Sequence, residues 1–299
     1  TKMSETIKKS GIISIVGRPN VGKSTLINAM VGEKIAIVTP KPQTTRNRIY
    51  GIVNRGDTQL VFMDTPGFHT PRSKLGNYMV KVVGESIGGV DAVMLIVEPI
   101  STIGNLEQEL INRIKSTKVP SVLVINKIDT VPKTDVLSVI QLYSMAHEFD
   151  EIVPISAKYF DGVDHLLEVL ARYASEGPPL FPEDMVTDQP EMQVCAEIIR
   201  EKLLLCLEDE VPHGTAVEIT KFSERDNGIV DIDATIYCEK NAHKGIIIGK
   251  KGAMLKRIGE LSRHDIEEFL GTKVFLQTWV KVKENWRDND FLVRNFGYK

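Results

Sequence analysis

Residues 12–24 read I-I-S-I-V-G-R-P-N-V-G-K-S, and this stretch decides the fold of the first half of the chain. The β-branched run 12–16 predicts a strand, and residues 23–31 predict a helix. The loop between them matches G-x-x-x-x-G-K-[ST], whose glycines allow the backbone to fold closely around phosphate oxygens. A strand, this loop and a helix in register therefore predict a phosphate-binding loop.

The predicted phosphate site uses the whole loop. Backbone N–H groups and the N-terminus of the following helix supply a positive potential. We expect Lys23 to reach the β- and γ-phosphates and the Ser24 hydroxyl to ligate Mg²⁺. The predicted phosphate-binding residues are Gly17, Arg18, Pro19, Asn20, Val21, Gly22, Lys23 and Ser24.

A carboxylate follows the next predicted strand, 59–63, in the sequence D-T-P-G at 64–67. Ligands of parallel sheets bind at the C-terminal ends of the strands, so Asp64 is suited to hold Mg²⁺ through water. The N–H of Gly67 can approach a γ-phosphate closely, where any side chain would crowd it.

The sequence N-K-I-D at 126–129 follows another apolar strand and points to the base that is bound. The Asp129 carboxylate can accept two hydrogen bonds from the N1–H and N2–H₂ edge of guanine, whereas adenine offers no such pair of donors. Lys127 can lay its aliphatic stem on the ring, and Asn126 can tie this loop to the phosphate loop. We expect the N–H of Ala157 to donate to guanine O6. The predicted guanine-binding residues are Asn126, Lys127, Asp129, Ser156, Ala157 and Lys158.

Apolar runs at 91–97, 121–125 and 151–155 alternate with helical stretches. Continuous apolar strands of this kind predict an α/β domain, with a mostly parallel sheet covered by helices on both faces. The sequence G-P-P-L-F-P at 177–182 breaks the pattern, because its prolines continue neither a helix nor a central strand. We predict a first domain over 1–178 with about ten disordered residues at its N-terminus, a linker over 179–190, and a second domain over 191–299.

The second domain has a different order of elements and predicts a smaller α+β module. Its elements are a helix at 192–207, strands at 215–222 and 229–238, a glycine-interrupted helical stretch at 245–270 and a strand at 274–282. Trp279 and Trp286 are interpreted as core residues, with stacking on a nucleic acid as the alternative.

The composition excludes several classes of protein. The chain of 299 residues has 37 Lys+Arg against 40 Asp+Glu, which excludes a globally basic nucleic-acid binder but not a local basic patch. Its apolar runs are far shorter than the ~20 residues that span a bilayer, and residues 1–11 lack the apolar segment of a signal peptide. Cys195, Cys206 and Cys238 are expected to be buried free thiols in a cytoplasmic protein, and the histidines suggest no metal cage.

With its motifs in this order, the region 12–175 resembles a translation-factor-type GTPase domain. The sequence G-R-P-N-V-G-K-S at 17–24 and the segment P-Q-T-T-R at 42–46 resemble, more specifically, the Era group of ribosome-assembly GTPases. The resemblance implies that Ser24, Thr45 and Asp64 hold Mg²⁺, with Thr45 preferred over Thr44. It also implies a first switch at Gln43, Thr44, Thr45, Arg46 and Asn47, and a second switch at Asp64, Thr65, Pro66, Gly67 and Phe68.

Position 68 departs from the Ras-like pattern, in which a glutamine at this place orients the attacking water. Phe68 cannot position water by hydrogen bonding, so we expect slow intrinsic hydrolysis unless another element completes the site. In the wider group, an asparagine of the phosphate loop helps to bind K⁺, and Asn20 occupies that position. The resemblance therefore implies that K⁺ stimulates hydrolysis.

The sequence G-K-K-G at 249–252 lies between helical segments, with two strands before it and one after, and this order resembles a KH domain. In KH domains the G-x-x-G loop clamps about four single-stranded nucleotides by their backbone. Residues 240–259 carry six Lys+Arg and no acidic residue. Val230, Ile246 and Ile248 are candidates for the floor under the bases, and Gly249→Asp is expected to abolish RNA binding. The predicted RNA-binding residues are Gly245, Ile246, Ile248, Gly249, Lys250, Lys251, Gly252 and Lys256.

The resemblance implies a monomeric switch that binds and hydrolyses GTP, binds the single-stranded 3′ end of small-subunit (16S-type) ribosomal RNA, and assists assembly of the 30S subunit. It also implies a peripheral contact with the inner face of the membrane. Three alternatives remain: a P-loop enzyme such as a metabolite kinase, an RNA-binding module with a vestigial nucleotide site, and a membrane-associated or cell-cycle regulatory GTPase with incidental RNA binding. Guanine selectivity, measurable turnover and binding to anionic vesicles discriminate among them.

Overall fold

The computed structural model describes residues 7–39, 46, 49–64, 89–296 and 298. These residues divide into two compact units, of which the first takes 7–36, 46, 49–64 and 89–188. The second unit takes 189–296 and 298 together with 37–39 from the first half of the chain. Within the second unit, the backbone N–H of Val38 donates to Glu201 Oε1 at 2.8 Å.

The first unit is built on a mostly parallel sheet, as the sequence predicts. The strand order is β2-β3-β1-β4-β5-β6, with the short β7 paired to β1. Strands β1, β3, β4, β5 and β6 run parallel, whereas β2 and β7 pair antiparallel with their neighbours. The strands are β1 (Lys9–Val16), β2 (Ile49–Arg55), β3 (Thr58–Asp64), β4 (Ala92–Val97), β5 (Ser121–Ile125), β6 (Glu151–Pro154) and β7 (Ser175–Glu176).

Helices cover both faces of this sheet. Successive residues of a strand point to opposite faces, and β4 shows this directly: Met94 packs in one apolar cluster with Leu26 of α1, while Leu95 packs in another with Ile111 of α2. Residues of α4 join the first cluster and residues of α3 join the second. The described helices of this unit are α1 (Lys23–Val31), α2 (Asn105–Thr117), α3 (Lys133–Ala146) and α4 (Val163–Ala171).

The structure adds detail at two edges of this unit. Strand β1 begins at Lys9, three residues before the predicted strand, and Lys9 pairs with Thr58 of β3 and Glu176 of β7. The edge strand β2 is absent from the prediction. Its sequence, I-Y-G-I-V-N-R, contains a glycine and ends in polar residues, so it lacks the continuous apolar run of a buried parallel strand. In the structure the residues of β2 are only partly buried.

The proline-rich segment predicted as a linker packs on the first unit as far as Asp188. Gln59 accepts from the N–H groups of Leu180 and Phe181 at 2.7 and 3.0 Å. The N–H of Ile52 donates to the carbonyl of Val186 at 2.9 Å. The bond from Ile52 satisfies a backbone N–H of the edge strand β2, which would otherwise be open to pairing with another chain.

The second unit is a smaller α+β module. Its three-stranded sheet has the order β10-β9-β8, in which β9 pairs parallel with β10 and antiparallel with β8. Residues Ile199 of α5, Ile236 of β9 and Ile258 of α7 belong to its apolar core. The elements are α5 (Glu191–Cys206), β8 (Ala216–Glu224), β9 (Val230–Cys238), α6 (Asn241–Ile248), α7 (Ala253–Leu270), β10 (Val274–Val282) and α8 (Asp290–Asn295).

The two tryptophans have different environments. Trp286 is completely buried, and its indole N–H donates to the Gly214 carbonyl at 2.8 Å. The rings of Phe296 and Tyr298 lie 5.3 and 6.1 Å from it. Trp279 is 44% exposed on β10, which corrects the prediction that both tryptophans are core residues. Among the described helices, none combines the length and apolarity needed to cross a membrane.

Candidate functional site

Two glycines allow the phosphate loop to lie against the rest of the first unit. A Cβ on Gly17 would lie 2.6 Å from the carbonyl oxygen of Ile96 in β4. Gly22 has a φ of +101°, and a Cβ there would overlap the side-chain nitrogen of Asn126. Gly22 directly precedes α1, so the loop ends on the N-terminus of that helix. The backbone thus brings the positive end of α1 to the place where phosphate is expected.

Lys23 is held inside this loop. Its Nζ donates to the carbonyl oxygens of Gly17 at 3.1 Å and Arg18 at 2.9 Å. Burial lowers the pKa of the Lys23 ammonium to about 8, although the nearby Asp64 carboxylate acts in the opposite direction. An incoming phosphate would therefore meet an ammonium group that is already aimed along the loop.

Ser24 and Asp64 bring two oxygen donors together at the C-terminal ends of β1 and β3. The Ser24 hydroxyl donates to Asp64 Oδ2 at 3.2 Å, and Asp64 is fully buried. A hydroxyl and a carboxylate are the kind of oxygen ligands that Mg²⁺ takes beside nucleotide phosphates. The chemistry of this donor pair fits the magnesium ion predicted from the sequence.

Asn126 ties the guanine loop to the phosphate loop, as expected. Its side-chain N–H donates to the carbonyl of Val21 at 2.9 Å, and its Oδ1 accepts from the N–H of Ala157 at 3.0 Å. The Ala157 N–H is also the group expected to donate to guanine O6, and that role stays a prediction. Because Asn126 is buried beside it, this N–H already has an acceptor within the protein.

Asp129 is exposed after β5, with its carboxylate held by a neighbour. The hydroxyl of the buried Ser156 donates to Asp129 Oδ1 at 2.5 Å. Lys158 is exposed on the next loop. Ser156 is therefore placed to orient the carboxylate that the sequence assigns to the guanine edge.

One acidic residue of this region was missed by sequence reasoning. Glu98 directly follows β4, and its carboxylate accepts from both Arg18 and Lys127. The sequence contains only a weak signal for it, namely a charged residue at the C-terminal end of a buried parallel strand. The contacts that give it significance come from residues 80 and 29 positions away.

Several predicted switch residues lie outside the described residues. Arg46 of the first switch is described and is buried. Asp64 is the one described member of the second switch. The remaining predicted positions, which fall outside the described ranges, are Gln43, Thr44, Thr45, Asn47, Thr65, Pro66, Gly67 and Phe68.

The second unit carries the G-x-x-G turn between two helices. Helix α6 ends where the Gly249 N–H donates to the Gly245 carbonyl at 2.9 Å, and α7 begins after Gly252. Gly249, Lys251 and Gly252 have φ values of +72°, +53° and +79°. A Cβ on Gly249 would lie 2.7 Å from that of Met254, whereas nothing lies within 4 Å of one on Gly252.

A groove of about 460 Å³ runs beside this turn, between α7 and β10. Lys250, Lys251 and Lys256 are exposed, and Ile246 is 49% exposed. Val230 is buried in the core, so it cannot form a floor for bases as expected. The groove is lined by Gly252, Leu255, Lys256, Gly259, Glu260, Arg263, Leu276 and Thr278.

In the part of the chain that the structure describes, one further cluster of possible metal ligands lies outside these two sites. His264, Asp265 and Glu268 of α7 bring ligand atoms within 4.8 Å of one another, a grouping that the sequence analysis did not anticipate. The buried Lys202 donates to Asp265, so a cation already occupies this carboxylate. Cys195 and Cys238 are buried free thiols, as expected, while Cys206 is only partly buried.

Family models match both units. A model described as a 50S ribosome-binding GTPase matches residues 12–127, and a KH domain model matches residues 210–287. The first match contains the phosphate loop and the start of the guanine loop, and the second contains the G-x-x-G turn.

Relatives extend the similarity over nearly the whole chain. GTPase Era of Ruminiclostridium cellulolyticum is 52% identical over 97% of this chain and 98% of its own length, and GTPase Era of Clostridioides difficile gives the same values. The crystal structure of an Aquifex aeolicus Era variant bound to GDP.AlF4⁻ superposes with a TM-score of 0.93 at 41% identity, covering 97% of this chain and 99% of that one. A crystal structure of Era in complex with MgGDPNP and nucleotides 1506–1542 of 16S ribosomal RNA has the same TM-score and coverage at 40% identity. A GTPase site of this geometry, joined in one chain to a KH module, therefore places the chain in the Era family of GTPases.

Proposed function

We propose that this GTPase binds the single-stranded 3′ end of small-subunit ribosomal RNA through its second unit and assists assembly of the small ribosomal subunit. The G-x-x-G turn is the observation that carries this proposal. It presents two exposed lysines beside a groove, and its glycines leave the backbone of the turn open to a phosphate. The complex of an Era relative with nucleotides 1506–1542 of 16S ribosomal RNA supports the same substrate.

The first unit supplies the GTP-dependent step. The phosphate loop and Lys23 bind the phosphates, and Asp129 reads the guanine edge. Ser24 and Asp64 hold Mg²⁺, which the MgGDPNP complex of a relative supports. The ion supplies neutralisation of the charge that develops on the phosphates during transfer. Without a glutamine after D-x-x-G, the chain orients the attacking water poorly, and intrinsic turnover is slow.

Potassium completes the site in this proposal. Asn20 lies exposed in the phosphate loop with a φ of +66°. An amide oxygen at this position adds a ligand for a monovalent cation, whose charge acts on the phosphates as an arginine finger does. Turnover in K⁺ should exceed turnover in Na⁺ at equal ionic strength, and equal rates would remove K⁺ from the proposal.

The nucleotide state acts on the RNA site through the segment that precedes the first switch. Residues 37–39 belong to the second unit, where Val38 bonds to Glu201 of α5. Glu201 is 2% exposed and also accepts from Lys202 at 2.8 Å. A switch that changes order with the γ-phosphate would pull on a segment anchored in this buried network.

The test is RNA binding and GTP turnover by the full chain. A short RNA copied from the 3′ end of 16S-type ribosomal RNA is titrated with GTP analogue and with GDP, and a scrambled RNA of equal length is the control. We expect sequence-dependent binding in the submicromolar range, guanine-selective turnover, and a monomer at assay concentration. Equal affinity for both RNAs would contradict the proposal.

Two other outcomes would move the assignment to another class. RNA binding without turnover would favour a vestigial nucleotide site. Binding to anionic vesicles that is tighter than RNA binding would favour a membrane-associated or cell-cycle regulator. The proposal places the protein in the cytoplasm, where ribosomal subunits assemble, with a peripheral membrane contact as a secondary interaction.

A further inference from the structure

Glu98 lies between two cations that belong to different nucleotide-binding loops. Its Oε2 accepts from the Arg18 guanidinium of the phosphate loop, and its Oε1 accepts from Lys127 Nζ of the guanine loop at 2.5 Å. The Glu98 side chain is 21% exposed. One carboxylate, fixed at the end of the buried strand β4, thus uses both oxygens to hold two loops.

Further contacts limit where each cation can go. Arg18 Nε lies 3.4 Å from Glu107 of α2, which is 6% exposed. Lys127 Nζ also donates to the carbonyl of Asn20 at 2.6 Å. The guanidinium and the ammonium are therefore positioned by groups of the sheet, a helix and the phosphate loop, before any nucleotide arrives.

The charges of this group are balanced around Glu98. Burial alone would raise the pKa of the Glu98 carboxyl, but hydrogen bonds from Lys127 and Arg18 outweigh burial and hold the pKa below its ordinary value. Charge-assisted hydrogen bonds of this type are stronger than neutral ones. Removing the negative charge would leave Arg18 and Lys127 without their shared partner, and Lys127 would keep only its bond to the Asn20 carbonyl.

We propose that Glu98 is a positioning residue for the guanine-nucleotide site: it fixes Lys127 against the phosphate loop and so sets how tightly the nucleotide is held. The inference rests on the nucleotide site of the proposed function. Glu98 is not proposed to touch phosphate or base; it acts through Lys127. It differs from the Asn126 tie because its bonds are charged and lie nearer the surface.

The experiment measures the Kd of GDP for the wild-type chain, Glu98→Gln, Lys127→Met and the double variant. Glu98→Gln keeps the shape of the side chain and removes its charge, and we expect the Kd to rise about tenfold. In the Lys127→Met background the same change should raise the Kd less than twofold, because a residue that acts through Lys127 has little left to position. Glu109→Gln is the matched control, since Glu109 forms an exposed ion pair with Arg113 on α2 and should leave the Kd unchanged.

Equal rises in both backgrounds would overturn the inference, because they would show that Glu98 acts by a route other than Lys127. An unchanged Kd in Glu98→Gln, with a wild-type chain that binds GDP, would also overturn it. A wild-type chain that binds no GDP would instead overturn the proposed function. If Glu98→Gln does not fold, Glu98→Asp keeps the charge but is too short to reach both cations, and a Kd equal to that of the wild-type chain would contradict the inference.

Discussion

The phosphate loop and the G-x-x-G turn are both glycine turns that end on the N-terminus of a helix, yet they are supported differently. Gly22 and Gly252 both adopt the left-handed backbone conformation, and each directly precedes a helix. Around Gly22 the neighbouring side chains are packed tightly, and Asn126 would overlap any added Cβ. Around Gly252 there is open space. The first turn is built into the protein, while the second is presented to solvent.

The side chains follow the same division. Lys23 is buried and bonded to backbone carbonyls, whereas Lys250 and Lys251 are exposed and form no ion pair with any described residue. A buried site loses little entropy when its ligand binds and can discriminate by unsatisfied polar groups. An exposed basic turn gains its order from the ligand, so its affinity depends on salt. The difference suits a selective small-molecule switch coupled to a nucleic-acid clamp.

The largest effect is expected from Trp286→Ala, which tests whether the second unit folds apart from the nucleotide site. Losing a fully buried indole and its bond to Gly214 should lower the free energy of unfolding of this unit by about 3–5 kcal/mol. Urea unfolding followed by circular dichroism measures this, with Trp279→Ala as an exposed control. If Trp286→Ala also raised the Kd of GDP, the two regions would not be independent of each other.

The next effect is expected from Gly22→Ala in the phosphate loop. The positive φ strains an alanine by roughly 1–2 kcal/mol, and displacing Asn126 costs a buried hydrogen bond. Together these should raise the Kd of GDP about 100-fold. Gly32→Ala is the matched control, because Gly32 has a φ of +83° with nothing within 4 Å. A similar rise in Gly32→Ala would show that backbone strain alone, and not the packing of the loop, sets affinity.

Lys250→Glu sharpens the contrast from the RNA side. Reversing one exposed charge should weaken RNA binding about tenfold and lower the slope of log K against log salt by about one unit or more. The Kd of GDP should not change. Lys273→Glu is the control, because Lys273 is exposed and lies beyond the C-terminal end of α7, the end opposite the G-x-x-G turn. Gly249→Asp is a poorer test than the sequence suggests, because its Cβ would clash with Met254 and distort the turn itself.

The smallest effect is a pH dependence of nucleotide binding. The pKa of Lys23 is lowered by burial to about 8, and a bound phosphate anion would raise it again. Above pH 8, binding must therefore take up a proton, and the Kd of GDP should rise toward a limit of about tenfold per pH unit. Calorimetry in two buffers of different ionisation enthalpy counts the proton. Arginine in Lys23→Arg stays charged over this pH range. Any dependence of the Kd on pH that persists in this variant therefore comes from titration of the nucleotide.

The lowered pKa of Lys23 also makes the free energy of unfolding depend on pH. Raising the pH weakens nucleotide binding but increases the contribution of Lys23 to stability. Since the folded pKa lies below the ordinary value of 10.5, the unfolded chain binds more protons between about pH 8 and 10.5. The contribution of Lys23 to stability therefore rises with pH across this window. A free energy of unfolding that falls there in the wild-type chain but not in Lys23→Arg would contradict the assignment.

The sequence predicted most of the first unit because its information is local. Buried parallel strands read as continuous apolar runs, and β5 has the predicted bounds Ser121–Ile125. The phosphate loop and N-K-x-D specify their own backbone. What the sequence did not show depends on distant partners: the edge strand β2, the packing of the proline-rich segment on it, and the position of Glu98 between two loops.

The groove between α7 and β10 was less predictable for the same physical reason. Its strand β10 has the predicted bounds Val274–Val282, and its burial alternates, with Trp279 on the exposed side together with Gln277 and Lys281. Trp286 follows that strand, and only the tertiary packing shows that it is buried. Val230 reads as an apolar strand residue in either position, and only the tertiary packing shows that it belongs to the core. An exposed binding surface produces little sequence pattern apart from its glycines and charged residues.

In the proposed function, a prebuilt nucleotide site controls an exposed RNA-binding turn in the same chain. The most direct measurement is the Kd of a GTP analogue with and without saturating 16S-type 3′-end RNA, alongside the Kd of that RNA with and without the analogue. Linkage requires both ratios to be equal, and we expect a common factor of about 5 or more. Ratios of one in both directions would contradict the account and leave two independent binding sites.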